Sequence, residues 1–314
     1  MKAKGKSQVQ KKAASAGRSV AIVGAGKLAG FLAPALAQAG YRITEILARK
    51  ETGSMKRARA LAFPVGARAV ALGAATLDAE MLWLTVPDAE IRHVAELLAH
   101  RLKTKWAGGK VAKAKTASAP NLPRFAFHSS GALGSGELIP LRKAGFSVAS
   151  VHPLMTFVAE ATPSLQDVPF AVEGDQAAVK AAHGIVKKLG GESFALAPGR
   201  KVAYHAWATM TSPLFLAYLV TLELGAREAG LGHEAARRMS LPILRQTLKN
   251  YAQLGPDYSF SGPFVRGDAA TVEKHLTLLK RSPQLRAVYV GLARVALDRL
   301  PVRNRQRLAR LLKD

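Results

Sequence analysis

One stretch near the amino terminus restricts the fold more than any other. Ser19 to Val23 is a short apolar run, and the glycine turn Gly24-Ala25-Gly26-Lys27-Leu28-Ala29 follows it directly. Lys27 to Ala39 carries helical patterning that stops at Gly40, and Arg42 to Ala48 is a second run containing β-branched residues. Strand, turn, helix and strand in this order form a β-α-β unit, and its two strands must run parallel. The G-x-G-x-x-A spacing has a mechanical reading. Gly24 permits the tight turn, Gly26 lets backbone amides approach a diphosphate, and Ala29 lets the helix pack closely on its strand. The first helical residues, Lys27 and Leu28, bring unpaired N–H groups and a partial positive charge, so an anion can be held there without a basic side chain. The alternative is a glycine-rich turn with no ligand.

Further strand candidates lie at Ala67 to Leu72, Met81 to Val86, Phe125 to His128, Ser147 to Val151, Phe170 to Val172 and Ser193 to Leu196, with helical stretches between most of them. After Pro198 long helical patterns run to Leu312, broken at Gly230, around Gly255 to Pro263, and near Pro301. The 314 residues exceed the roughly 100 to 200 of a single domain. The expected class is α/β: a doubly wound, mostly parallel Rossmann sheet over residues 19–198, then an all-helical domain over 199–314. Residues 1–18 hold six basic residues and no acid, and read as a disordered tail.

The second strand indicates which dinucleotide the turn would hold. NAD sites place a carboxylate at its end, to accept from the ribose 2′-hydroxyl. Here the sequence is Ala48-Arg49-Lys50, so Arg49 is positioned to pair with a 2′-phosphate, assisted by Lys50 and Ser54, and NADP is the expected cofactor. A surface arginine in a basic chain is the plain alternative. Ligands in such sheets sit beyond the carboxyl ends of the strands, which brings Val86-Pro87-Asp88 and His128-Ser129-Ser130-Gly131 toward the nicotinamide half. Val86, Pro87 and Ser130 are therefore cofactor candidates. His152, in Val151-His152-Pro153, falls where a substrate carbonyl would lie and is an acid/base candidate; it can equally cap a turn before proline.

Charge and composition narrow the classes. Forty-six Lys and Arg against 21 Asp and Glu give +25, a field that attracts phosphates and nucleic acid. Residues 101–124 carry seven basic residues and no acid, and read as a solvated basic loop. Aromatic residues are 6% and do not interleave with that run, so specific nucleic-acid readout is not expected. The absence of cysteine excludes disulfides, iron-sulfur clusters and thiol nucleophiles, and fits a cytoplasmic chain. No HxxxH or HExxH spacing occurs among the eight histidines, so no metal site is expected. Val202 to Leu222 lacks charge but contains His205, Thr209, Thr211, Ser212, Pro213 and Thr221, more consistent with a helix buried in a bundle or dimer than with a membrane span.

The run from Phe127-His128-Ser129-Ser130-Gly131 through Pro140-Leu141, Gly145 and Val151-His152-Pro153 to Phe157 resembles a bacterial family of Rossmann-like oxidoreductases with a helical C-terminal domain of unknown function. Ser261-Gly262-Pro263, Arg266-Gly267-Asp268 and His275 are similar to that family's second signature. The wider group includes pyrroline-5-carboxylate reductases, prephenate dehydrogenases and β-hydroxyacid dehydrogenases. The resemblance implies NADP binding and a homodimer formed through the helical domain. Carried over residue by residue, it places Ser129 or Ser130 and His152 beside a reacting hydroxyl. A Lys-x-x-x-Asn pair of the hydroxyacid dehydrogenases corresponds to Lys201 and His205, with histidine in place of asparagine. Either of the two can be the acting group; a solvated Lys201 and a core His205 are the alternatives. Arg266 is a candidate anchor for a substrate carboxylate, unless it pairs internally with Asp268; His275 is a second candidate in the same segment.

The reading that joins these features is hydride transfer between NADP(H) and a small keto or hydroxy acid, or an imine or amine, bearing a carboxylate. The competing class is a non-catalytic NADP sensor or a nucleic-acid-associated protein.

Overall fold

A computed structural model describes residues 18–107, 124–158 and 164–313. The tail and most of the basic loop expected from the sequence therefore lie outside the described residues. Two compact units emerge, Met1–Ala208 and Thr209–Asp314.

The first unit contains β1 (Ser19–Val23), α1 (Lys27–Gln38), β2 (Arg42–Ala48), α2 (Thr52–Ala62), β3 (Arg68–Ala71), β4 (Met81–Leu84), α3 (Asp88–Ala107), β5 (Arg124–His128), α4 (Ile139–Lys143), β6 (Phe146–Pro153), β7 (Pro169–Gly174), α5 (Gln176–Lys188) and β8 (Glu192–Ala195). The eight strands order as β3-β2-β1-β4-β5-β6-β7-β8. Chain order reverses between β1 and β4, the switch point at which open α/β sheets form a crevice. All pairs are parallel except β6 with β7, where His152 faces Ala171. This departs from a wholly parallel sheet, and its cause is local. No helix among the described residues joins β6 to β7, so the crossover that a parallel pair requires is not formed there.

Alternation along β1 decides which helices cover which face. Val20 and Ile22 join one core with residues of α1, α2 and α5, whereas Ala21 and Val23 join the other with residues of α3 and α4. Trp83 and Phe127, both fully buried, pack with ring centroids 5.1 Å apart. In α1 the buried positions Ala29, Leu32, Ala33 and Leu36 form the inner stripe. The helix runs through Pro34 and ends where Gly40 adopts a φ of +87°, with the Tyr41 amide bonding back to the Leu36 carbonyl.

α6 (Lys201–Thr211) begins in the first unit and ends in the second. The second unit comprises α7 (Pro213–Glu228), α8 (His233–Ser259), α9 (Pro263–Arg266), α10 (Ala269–Leu279), α11 (Pro283–Arg299) and α12 (Arg305–Leu311). Its core lies among α10, α11 and α12, around Val272, Leu276, Ala293, Leu297 and Leu308. α7 has no fully buried residue, and α8 buries only Ala236. The charge-free stretch is thus two helices parted at Ser212, and Lys201–Glu228 has a mean hydropathy of 1.2 over its most apolar window.

Candidate functional site

The glycine turn sits at the carboxyl end of β1, as its spacing requires. Gly24 has a φ of +114°, and a Cβ built on it would lie 2.8 Å from the carbonyl oxygen of Thr85. Its amide donates to the Leu47 carbonyl at 2.8 Å, and the Thr85 hydroxyl donates to the Gly24 carbonyl at 3.1 Å. The turn is thereby clamped between β2 and the loop after β4. Gly26 caps α1 with no side chain over the first amides, and both Gly26 and Lys27 are exposed. Leu28 is half-buried and Ala29 fully buried against the strand.

A cavity of about 480 Å³ opens in front of this turn. Gly24, Gly26, Arg49, Val86 and Pro87 line it, with Ser54 and Arg57. Lys50 is exposed beside it and is not among the lining residues. The sequence reading missed Arg57. The available signal was its place in α2 three residues after Ser54, one turn along the same face. Arg57 Nη2 donates to Ser54 Oγ at 3.3 Å, and Arg49 lies 3.7 Å from Glu51 at the exposed rim. A glycine cradle that a Cβ would fill, free helix-start geometry and two guanidinium groups at the far end fit a dinucleotide bearing an extra phosphate.

A second cluster lies past the ends of β5 and β6. His128 is buried; its Nε2 lies 3.0 Å from the Gly134 carbonyl, and its Nδ1 accepts from the Ser130 amide at 3.1 Å. Nε2 therefore carries the proton, and burial pushes the pKa down to about 4. The Ser130 hydroxyl donates to Asp88 at 2.6 Å and accepts from the amides of Ala132 and Leu133. That side chain is fully used in holding the turn. Ser129 differs: its Oγ accepts from Trp83 Nε1 at 2.9 Å and keeps its own proton to donate.

Lys201 is not a solvated helix-start lysine. It is 4% exposed, and its Nζ donates to the Ser130 carbonyl at 2.7 Å and to Ser150 Oγ at 2.8 Å. Burial lowers its pKa to about 8, against the opposing influence of Glu173 and Asp88. One turn along α6, the Tyr204 hydroxyl lies 2.8 Å from His152 Nδ1. Burial, followed by the charge of Lys201 and by His205, holds the His152 pKa down to about 3, and burial raises that of Tyr204 to about 12. His205 also joins the group, its ring centroid 6.2 Å from that of His152. Gly131 makes the approach feasible: a Cβ there would overlap His205 Cδ2 and lie 2.9 Å from His152 Nε2. The structure thus gathers His152, Lys201 and His205, and adds Tyr204, Ser150 and Gly131, while Ser129 follows the end of β5 with Trp83 as its partner. Gly131 stood in the 127–131 run but without a role of its own, and Tyr204 and Ser150 carried no recognisable motif, because these roles arise only from strand register and helix placement.

The remaining candidates belong to the helical unit. His275 Nδ1 lies 3.0 Å from the Tyr289 hydroxyl, packed within that unit. Asp268 does not pair with Arg266 among the described residues; its carboxylate accepts from the Thr271 amide and hydroxyl, capping α10. The internal ion pair is replaced by a helix cap.

Residues 4–153 match the model of a Rossmann-like domain, and residues 168–296 match that of a domain of unknown function, DUF2520. The chain joins a Rossmann-like domain to a DUF2520 domain. The DUF2520 match begins one residue before β7, so it takes in β7, α5 and β8 of the sheet as well as the helices that follow. No curated protein matches the sequence. Among solved structures, a candidate NADP oxidoreductase from Bacteroides fragilis is similar at 19% identity and a TM-score of 0.67, covering 90% of this chain and 99% of that one. A Thermotoga maritima protein is similar at 23% and 0.64, over 94% and 98%. The Aspergillus terreus reductive aminase, in complex with NADPH and ethyl-5-oxohexanoate, is similar at 14% and 0.57, over 90% and 94%. At these identities the likeness is one of fold.

Proposed function

We propose that this DUF2520-bearing chain is an NADP-dependent reductase acting on the C=O or C=N bond of a small carboxylate-bearing substrate. The observation that carries the reading is that a glycine-turn crevice, rimmed by Arg49 and Arg57, and the buried cluster of His152, Lys201 and Tyr204 occur in the same unit, each following the carboxyl ends of strands of one sheet. The structural neighbours named for reductase chemistry support it.

In this reading the amides after Gly24 hold the diphosphate, and Arg49, Ser54 and Arg57 hold the 2′-phosphate. The nicotinamide supplies or receives the hydride when bound. Tyr204 is buried to 6% exposure, and its only hydrogen-bond partner among the described residues is His152. A buried hydroxyl proton without an acceptor costs more than an unused lone pair. Tyr204 therefore donates to Nδ1, and the His152 proton sits on Nε2, on the Gly131 side. With a pKa of about 3, His152 is neutral near pH 7 and serves as a hydrogen-bond donor to the substrate heteroatom. Lys201, protonated below about 8, is the acid of the cluster, and Ser129 orients the substrate. A second copy of the chain covers the apolar residues of α7 and α8, including Leu214, Leu216, Val220, Ile243 and Tyr251, and forms a homodimer.

Fluorescence titration with NADPH and NADH tests the cofactor assignment. The wild type should prefer NADPH, and Arg49→Glu with Arg57→Glu should weaken NADPH by about tenfold or more while leaving NADH little changed. Equal losses for both nucleotides refute the phosphate role, and failure to bind either refutes the enzyme reading. NADPH oxidation against 2-keto acids and cyclic imines then tests turnover.

A further inference from the structure

A second recess lies at the opposite edge of the sheet, where β1, β2, β4 and β5 begin. Arg18 precedes β1, Tyr41 precedes β2, and Phe125 stands near the start of β5; Lys180 and Lys188 face the recess from α5. Its volume is about 510 Å³, within the range of small-molecule sites. The five-residue β1 separates it from the glycine turn by about 16 Å, so it is not an extension of the cofactor crevice.

Three features of its chemistry agree. Arg18, Lys180 and Lys188 converge on it, no carboxylate lines it, and none of the three forms an ion pair among the described residues. Two of the cations are held by ring faces in place of acids: the Arg18 guanidinium carbon is 5.2 Å from the Phe125 centroid, and Lys188 Nζ is 5.0 Å from that of Tyr41. Cation–π contact positions a charge without neutralising it, which leaves the full positive charge for a ligand. Finally, α5 turns small residues toward the space. A Cβ at Gly184 would meet nothing within 4 Å, and Ala177 and Ala181 flank it.

We propose that this recess is a second anion site that takes a phosphorylated small molecule. Arg18 offers a planar fork to the phosphoryl oxygens, Lys180 and Lys188 add point charges, and the Tyr41 hydroxyl adds a donor. The rings of Tyr41 and Phe125 and the alanines of α5 give the rest of the ligand an apolar wall. A walled recess of this size fits a small molecule better than a nucleic-acid backbone, which needs an extended charged track.

The test is an amide NMR titration of the full chain with inorganic phosphate, exchanged against chloride at constant ionic strength. Saturable shifts at Tyr41, Ala181 and Gly184 are expected. Lys180→Glu with Lys188→Glu, both at exposed positions, should weaken phosphate by about tenfold or more and leave NADPH titration unchanged. Shifts confined to Gly24 to Gly26, non-saturable shifts, or the same affinity in the variant would overturn the proposal. So would a short DNA duplex that shifts the recess residues where phosphate does not. The NADPH titration is a separate readout, so failure of the crevice reading is not mistaken for failure of this one.

Discussion

The Tyr204 hydroxyl lies 2.8 Å from Nδ1 of His152 in a position where it has no other partner among the described residues. That contact fixes the imidazole tautomer. Nitrogen NMR of labelled histidine should find the Nε2–H form of His152 in the wild type and a mixture of tautomers in Tyr204→Phe. Losing one hydrogen bond is worth about 1 kcal/mol, so turnover should fall by roughly fivefold to tenfold with NADPH affinity unchanged. An unaltered tautomer in the variant would remove Tyr204 from its positioning role.

Lys201 yields a pH prediction whose sign follows from burial. Its folded pKa of about 8 lies below the ordinary lysine value, so between about 8 and 10.5 the unfolded chain binds the proton more tightly than the folded one. Stability from this residue therefore rises as pH rises through that window, and the penalty for burying the charge is fully present below it. The melting temperature of the wild type should gain on that of Lys201→Met between pH 8 and 10. Turnover should move the other way, declining above about pH 8 as the acid is lost. A flat difference in melting temperature would mean that the ammonium is not desolvated.

Gly131 is a steric requirement, although its backbone φ is not positive. Gly131→Ala would press a methyl group onto His205 and His152, and overpacking of this kind costs about 1–3 kcal/mol. Activity should be lost while NADPH binding persists. Gly131→Ala combined with His205→Ala should recover part of the stability, because the nearest clash is removed while that with His152 remains.

Gly24→Ala should fail differently. A φ of +114° is strained for alanine, and the new methyl would meet the Thr85 carbonyl at 2.8 Å. Expected are a lower melting temperature, by several degrees, and loss of both nicotinamide nucleotides. Retained NADPH affinity would show that the turn does not hold the diphosphate.

How much was legible in the sequence depended on whether a signal was local. β1 and β2 match the apolar runs residue for residue, because a strand flanked by a glycine turn and a helix stop is specified by its neighbours. The breaks at Gly230 and Pro301 were equally plain, and Gly255, with a φ of +75°, kinks α8 where the sequence placed an interruption. The reversal of β7 was not, since an antiparallel pair and a parallel pair present the same apolar residues. In the site, Gly24, Gly26 and Arg49 follow from spacing, and His152 from its strand end. Lys201 could be named but not placed: only register shows that it reaches the Ser130 carbonyl, 71 positions earlier. Tyr204 and Arg57 had no signal beyond a one-turn offset from residues already chosen.

The sparse interior of α7 and α8 has a thermodynamic consequence. Helices that present Leu216, Val220 and Ile243 to the surroundings draw little stability from their own unit, and in the proposed homodimer what they lack is supplied by association. Under mass action the melting point then becomes a function of dilution, climbing with chain concentration, whereas a self-sufficient monomer would melt at one temperature however thinly it was spread.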